Sequence, residues 1–167
     1  CISIYLVLFL KGNKKEISHF SGFLCLAIFC EWWSNNSKSA FELPKEFASN
    51  SYPIISMVYF TWFYYPNFSN LAYKKILLLV FALIAFIICY ILTYTNFSKS
   101  IINLYLLVST YTIFMVLLYF LDTLYKPRLS NILKEFPFWV SLALLFWNTF
   151  FVFRVGAMYY FDTHDHD

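Results

Sequence analysis

The sequence feature that most constrains the fold is an unbroken apolar run from Ile76 to Leu92, which follows Lys74 and Lys75. At about 1.5 Å per residue, a helix over residues 76–95 reaches about 30 Å, the thickness of the hydrocarbon core of a bilayer. A helix of a soluble protein would carry a polar stripe, and this run has none. The run therefore predicts a membrane-spanning helix, and we expect the other helices to be arranged around it.

Composition supports the same class of protein. Apolar residues make up 61% of the chain and charged residues 13%, about half the share found in globular domains. So little polar surface cannot coat a soluble domain, and we expect lipid to surround the protein instead. The sequence therefore predicts an all-α, polytopic transmembrane helix bundle that forms a single integral membrane domain over residues 1–167. The net charge of +3 is too small and too dispersed to indicate nucleic-acid binding.

The apolar segments predict about six spans. They cover residues 1–10, 19–33, 52–65, 76–95, 101–121 and 137–161. The first is truncated, because the sequence starts inside an apolar run, and we expect the chain to be a fragment of a longer protein. Residues 34–50 and 122–136 are predicted loops. Pro53 and Pro137 are expected to mark helix starts, because the first turn of a helix tolerates the missing N–H of proline.

Residues 52–65 are short for a span, and an interfacial or re-entrant helix is the alternative. Loop charges favour the spanning topology, because lysine and arginine collect on the cytoplasmic side of a membrane. If this segment spans, eight of the loop lysines and arginines lie on one side of the membrane and three on the other. If it does not span, the split is seven to four. The eight predicted cytoplasmic residues are Lys11, Lys14, Lys15, Lys74, Lys75, Lys126, Arg128 and Lys134; the other three are Lys38, Lys45 and Lys99. This topology leaves residues 162–167 outside the cell.

Two ionisable residues lie within the predicted spans: Glu31 near the outer end of the second and Arg154 in the sixth. Such a residue costs several kcal/mol inside a membrane unless it is paired or hydrated, so each is a candidate for function. Three alternatives follow. The two residues form an ion pair that joins two helices, each side chain extends separately to the membrane interface, or one of them belongs to a ligand or ion site.

Uncharged polar residues also fall inside the last two predicted spans. Ser109 and Thr112 share a face of the fifth span, and Ser141 and Asn148 share a face of the sixth. We expect hydrogen bonds between helices at these four positions, with a polar cavity as the alternative.

No catalytic, cofactor or metal site is predicted. The four cysteines lie in apolar segments without a C-x-x-C pair, and no phosphate-binding glycine loop or zinc-protease motif is present in the sequence. We therefore expect a protein that is not an enzyme.

Five features of the sequence indicate a resemblance. The first three are Glu31 near the end of an early span, the aromatic-rich segment Tyr52–Tyr65 followed by lysines, and a later helix that ends with Tyr119-Phe120-Leu121. The last two belong to the final helix, which opens with Pro137-Phe138-Trp139-Val140 and continues through Phe150-Phe151-Val152-Phe153.

In these features the chain resembles a family of uncharacterised bacterial multispanning membrane proteins, some of which carry this region as the sensory portion in front of a histidine kinase. The resemblance implies a multi-pass protein of the bacterial inner membrane whose partners are the lipid bilayer and a histidine kinase region or another membrane protein. It also implies a non-catalytic signal-input role. A fragment of a membrane transporter and a membrane scaffold subunit are the alternative functions.

Overall fold

The computed structural model describes residues 20–30, 32–33, 45–94, 102–125 and 135–164. Every regular element among them is helical, so the prediction of an all-α bundle is confirmed. The helices are α1 (Phe20–Cys30), α2 (Lys45–Tyr64), α3 (Leu71–Tyr94), α4 (Ile102–Leu124) and α5 (Phe136–His164). A short 3-10 turn, Tyr65–Asn67, follows α2. The predicted span over residues 1–10 and the candidate residue Glu31 lie outside the described residues.

Within the described ranges, three helices are long and apolar enough to cross a membrane: α3, α4 and the Phe136–Met158 part of α5. Each has at least 23 residues, which at about 1.5 Å per residue exceeds the thickness of a hydrocarbon core. For these three segments the structure confirms continuous helices with the length and composition that a membrane span requires. Helix α1 is apolar but shorter.

The bundle is not arranged around the most apolar helix, contrary to the expectation from the sequence. Helix α4 contacts α2, α3 and α5. Half of its most apolar 18 residues are buried, against 11% of those in α3. In α3 only Leu77 and Ile88 are buried, so this helix lies at the edge of the bundle that the described residues form.

Contacts between helices fix their relative directions. Thr61 contacts Tyr111, and Ser69, further along the chain, contacts Asp122. Helix α2 and the turn after it therefore run parallel to α4. Helix α3 runs the opposite way, because the residue at its start, Asn70, is also bonded to Asp122. In the same manner, ring contacts of 5.8 Å between Phe120 and Phe138 and of 6.2 Å between Tyr105 and Phe151 make α5 antiparallel to α4. These four successive helices therefore alternate in direction.

Aromatic side chains connect α1 to the bundle. Phe23 stacks on Tyr59 with ring centroids 4.3 Å apart, and it packs edge to face on Phe60 at 4.9 Å. Phe20 packs edge to face on Phe136 at the start of α5, at 5.6 Å. Such geometries are the favoured ones for aromatic pairs, and each adds about 1 kcal/mol beyond the area it buries.

The two prolines occupy different positions in their helices. Pro137 is the second residue of α5, in the first turn as expected. Pro53 instead lies inside α2, which begins at Lys45, so the prediction that it marks a helix start was wrong. The Ser56 hydroxyl donates to the Pro53 carbonyl at 2.8 Å, and this short-range bond supports the backbone just after the proline.

Candidate functional site

The most unusual side chain in the bundle is Asp122, a carboxylate that is 1% exposed near the end of α4. The sequence predicts a loop that starts at this residue, but α4 continues to Leu124. The carboxylate faces the turn that connects α2 to α3. A buried carboxylate is retained only where hydrogen bonds satisfy it, and this turn supplies them.

The carboxylate of Asp122 accepts hydrogen bonds from two successive residues of the turn. Ser69 donates its backbone N–H to Oδ2 at 2.8 Å, and its hydroxyl lies 2.9 Å from both carboxylate oxygens. Asn70 donates its backbone N–H to Oδ1 at 3.1 Å. We call the group formed by Asp122, Ser69 and Asn70 the Asp122 clamp. It joins the end of α4 to the beginning of α3.

Asn70 also explains why α3 begins where it does. Its side-chain Oδ1 accepts the backbone N–H of Ala72 at 2.9 Å, and its carbonyl accepts the N–H of Lys74 at 3.2 Å. This is the pattern of an N-cap residue. The carboxylate of Asp122 therefore lies at the positive end of the α3 dipole, where a negative charge is stabilising.

Tyr119 lies one helical turn before Asp122 and is 1% exposed. Its ring contacts Tyr64 at 5.3 Å and Phe68 at 6.3 Å, and its side chain interacts electrostatically with Asp122 and Glu135. Residues from α2, the turn, α4 and the start of α5 thus meet at one end of the bundle.

A second polar contact joins α2 to α5. The hydroxyls of Tyr64 and Ser141 lie 2.6 Å apart, and both side chains are fully buried. The Ser141 hydroxyl also lies 2.6 Å from the Pro137 carbonyl, to which it donates its single proton. Tyr64 is therefore the donor to Ser141.

A third contact joins α2 to α4 near the middle of the bundle. The hydroxyls of Thr61 and Tyr111 lie 2.6 Å apart. Thr61 donates to the carbonyl of Met57 at 2.7 Å, so Tyr111 donates to Thr61. Hydrogen bonds of this kind between membrane helices contribute about 0.6 kcal/mol each and at most about 1.7 kcal/mol.

The four uncharged residues singled out in the sequence are all buried, but they make different contacts. Ser141 forms the interhelical bond to Tyr64. Thr112 and Asn148 donate to carbonyls of their own helices, Thr112 to Val108 at 2.9 Å and Asn148 to Leu144 at 2.8 Å. Ser109 is 8% exposed, on the buried side of α4.

Six residues of the polar contacts were not predicted: Thr61, Tyr64, Ser69, Asn70, Tyr111 and Asp122. A signal for Asp122 exists in the sequence, because it continues the buried stripe of Thr112, Met115 and Tyr119 at spacings of three and four residues. A carboxylate that continues a buried stripe indicates a bonded partner rather than a loop.

Arg154 is exposed on α5. Because its predicted partner Glu31 lies outside the described residues, the ion pair stays a prediction. The exposure of Arg154 favours the alternative in which its side chain extends separately toward the membrane interface.

No family model, curated protein or solved structure matches the chain. The resemblance to sensory membrane regions therefore stays a prediction. The part of the chain that the structure describes defines the class: a helical bundle that includes three helices of transmembrane length, in which buried polar side chains link neighbouring helices.

Proposed function

We propose that this chain is a non-catalytic signal-input domain that passes a signal through displacements of its helices. The observation that carries the proposal is the Asp122 clamp. Its bonds connect the end of one helix of transmembrane length to the beginning of another, so a shift of α4 along its axis moves the start of α3 with it.

The distribution of polar contacts supports this proposal. A single hydroxyl bond from Tyr64 connects α2 to α5, and a single hydroxyl bond from Tyr111 connects α4 to α2. Breaking such a bond costs little free energy, so each can break and reform. Signalling needs an element with two discrete arrangements of similar free energy, and a few weak, directional bonds between rigid helices provide one.

For the membrane topology, we propose about six spans with the lysine-rich loops in the cytoplasm. The alternating directions of α2 to α5 support it, because α2 runs parallel to α4 and is 20 residues long, about 30 Å. This geometry suits a segment 52–65 that crosses the bilayer rather than one that lies on its surface. The Asp122 clamp then belongs to the cytoplasmic end of the bundle.

The proposed location is the bacterial inner membrane, and the proposed partner is a histidine kinase region or another membrane protein that receives the movement. The Asp122 clamp, on the cytoplasmic side, lies at the end of the bundle that such a partner would contact.

The test measures the distance between α3 and α5 with and without the clamp. Spin labels are attached through cysteines at Leu79 and Phe146, which are exposed on the two helices, after the native cysteines have been replaced by alanine. In liposomes, the protein with the unsubstituted clamp should give one main distance between the two labels. Asp122→Asn removes the negative charge and should transfer a substantial fraction of molecules to a second, discrete distance.

Ser69→Ala is the matched variant, because it removes only the hydroxyl and keeps both backbone bonds to Asp122. It should populate the same second distance to a smaller extent, and it replaces Asp122→Asn as the decisive variant if that protein does not fold. A single unchanged distance in the folded variants, or a broadened one without a second maximum, contradicts the proposal and favours a rigid scaffold.

A further inference from the structure

Arg154 is the only charged residue between Pro137 and Phe161, and its side chain is exposed. The exposed side of α5 around it is strongly apolar. Trp147 and Phe150, two turns and one turn before Arg154 on the same face, are 74% and 69% exposed. An arginine on such a surface needs an anion close by, because hydrocarbon does not solvate a guanidinium group.

The depth of Arg154 in the membrane determines which anion it can reach. Tyr159, a residue of the type that is enriched at membrane interfaces, follows Arg154 by five residues, which is about 7.5 Å along the helix. The stem of an arginine side chain covers this distance when it extends toward the helix end. The guanidinium group then lies at the level of the lipid headgroups rather than in the hydrocarbon core.

The helix surface beyond Arg154 leaves room for a headgroup. Ala157, which lies three residues further on the same face, is small and exposed, and so is Gly156 beside it. A side chain added at Gly156 would meet no atom within 4 Å. The extended arginine therefore passes over small residues.

On the other side of Arg154, aromatic rings form an apolar surface parallel to the helix. Phe146 and Phe150 stack with their ring centroids 6.4 Å apart and their planes 21° from parallel. With Trp147 next to them, they form an exposed aromatic surface along α5. One exposed side of the helix thus combines a cation near the membrane interface with an aromatic surface deeper in the membrane.

We propose that Arg154, Trp147, Phe150 and Phe146 form a binding site for one anionic phospholipid. The guanidinium group holds the phosphodiester through two parallel N–H···O bonds, which arginine makes and lysine cannot. One acyl chain lies on Trp147 and the stacked phenylalanines. A phospholipid is the fitting occupant because the site needs an anion and a long apolar group about 10 Å apart along the membrane normal, the rise from Trp147 to Arg154.

The test counts the lipids that stay bound to the purified protein, by native mass spectrometry in a neutral detergent. Phosphatidylglycerol, phosphatidylcholine and inorganic phosphate are added in separate titrations. The unsubstituted protein should retain one phosphatidylglycerol more tightly than the others, and Arg154→Gln should weaken this binding about tenfold, the effect of losing one charge-assisted contact. Arg154→Lys should bind with intermediate affinity.

Lys75→Gln is the matched control, since Lys75 is an exposed cation at the start of another helix of transmembrane length. It should leave the tightly bound phosphatidylglycerol in place, as should Glu31→Gln. The proposal is overturned if Arg154→Gln retains phosphatidylglycerol as well as the unsubstituted protein does. It is also overturned if phosphatidylcholine binds equally tightly or if inorganic phosphate alone displaces the lipid.

Discussion

Helices α3 and α4 have nearly the same length, and both are apolar enough to cross a membrane, yet they occupy opposite positions in the bundle. Helix α3 is the more apolar of the two and lies at the edge, with two fully buried residues. Helix α4 carries serine, threonine, tyrosine and aspartate, and it lies at the centre, with most of these polar residues buried.

The difference follows from the solvent. In water, apolar surface moves to the interior because burial removes it from water. In a bilayer, lipid tails are as apolar as leucine, so apolar surface gains nothing from being inside, and packing and hydrogen bonds decide which helix is central. High hydropathy therefore indicates a place in the membrane, while buried polar side chains indicate a place in the bundle.

The largest expected effect comes from the polar side of this comparison. Asp122→Ala removes the acceptor for the Ser69 and Asn70 backbone and should lower the free energy of unfolding by about 2 kcal/mol. The measurement is reversible unfolding in mixed micelles. Lys75→Gln, which changes an exposed charged residue near the start of α3, should have an effect below about 0.5 kcal/mol. Equal effects of the two substitutions would show that the clamp does not stabilise the bundle.

Packing should also distinguish the two helices. Leu104 in α4 is fully buried and Leu79 in α3 is 67% exposed. Leu104→Ala should lower the free energy of unfolding by about 1.5 kcal/mol, because it leaves a cavity in the bundle. The hydrophobic contribution does not change, because this side chain is surrounded by lipid rather than water when the helices separate. Leu79→Ala, at a position that faces lipid, should change stability by less than about 0.5 kcal/mol. A larger effect at Leu79 would place α3 in the interior.

The hydrogen bond between Tyr64 and Ser141 allows a smaller effect to be measured. Tyr64→Phe and Ser141→Ala, alone and together, form a double-mutant cycle. We expect a coupling energy of about 0.6 kcal/mol, the typical value for a hydroxyl pair between membrane helices. Strictly additive effects would mean that the two hydroxyls do not interact in the bilayer.

The smallest effect is expected at Thr112, whose hydroxyl donates to a carbonyl of its own helix. Thr112→Val keeps the shape of the side chain and should change the free energy of unfolding by less than about 0.5 kcal/mol. Loss of stability comparable to that of Asp122→Ala would indicate that Thr112 bonds across helices, as the sequence pattern suggested.

The sequence predicted the class of fold well and the internal arrangement poorly. Length and apolarity identify helices such as α3 directly, because the thickness of the bilayer sets both. The central position of α4 depends on which polar groups find partners in three dimensions, and Asp122 was placed in a loop because aspartate is rarely tolerated within a span. Its partners, Ser69 and Asn70, belong to a turn whose position depends on the packing of α2.

The extent of α2 shows a related difficulty. Its apolar part begins near Tyr52, but the helix begins at Lys45 and continues through Pro53. Hydropathy locates the part of a helix that contacts apolar surroundings, whereas the hydrogen-bonded backbone extends further. Proline weakens but does not end this helix, because packing on α4 stabilises it despite the missing backbone bond.

The most direct test of the account is the accessibility of single spin labels to oxygen in liposomes, measured along both helices. Oxygen concentrates in the hydrocarbon, so labels that face lipid relax fast. We predict high accessibility at Leu79, Leu83 and Phe86 of α3 and low accessibility at Leu104, Val108 and Met115 of α4. Low values along α3 together with high values along α4 would contradict the conclusion that the polar helix is the central one.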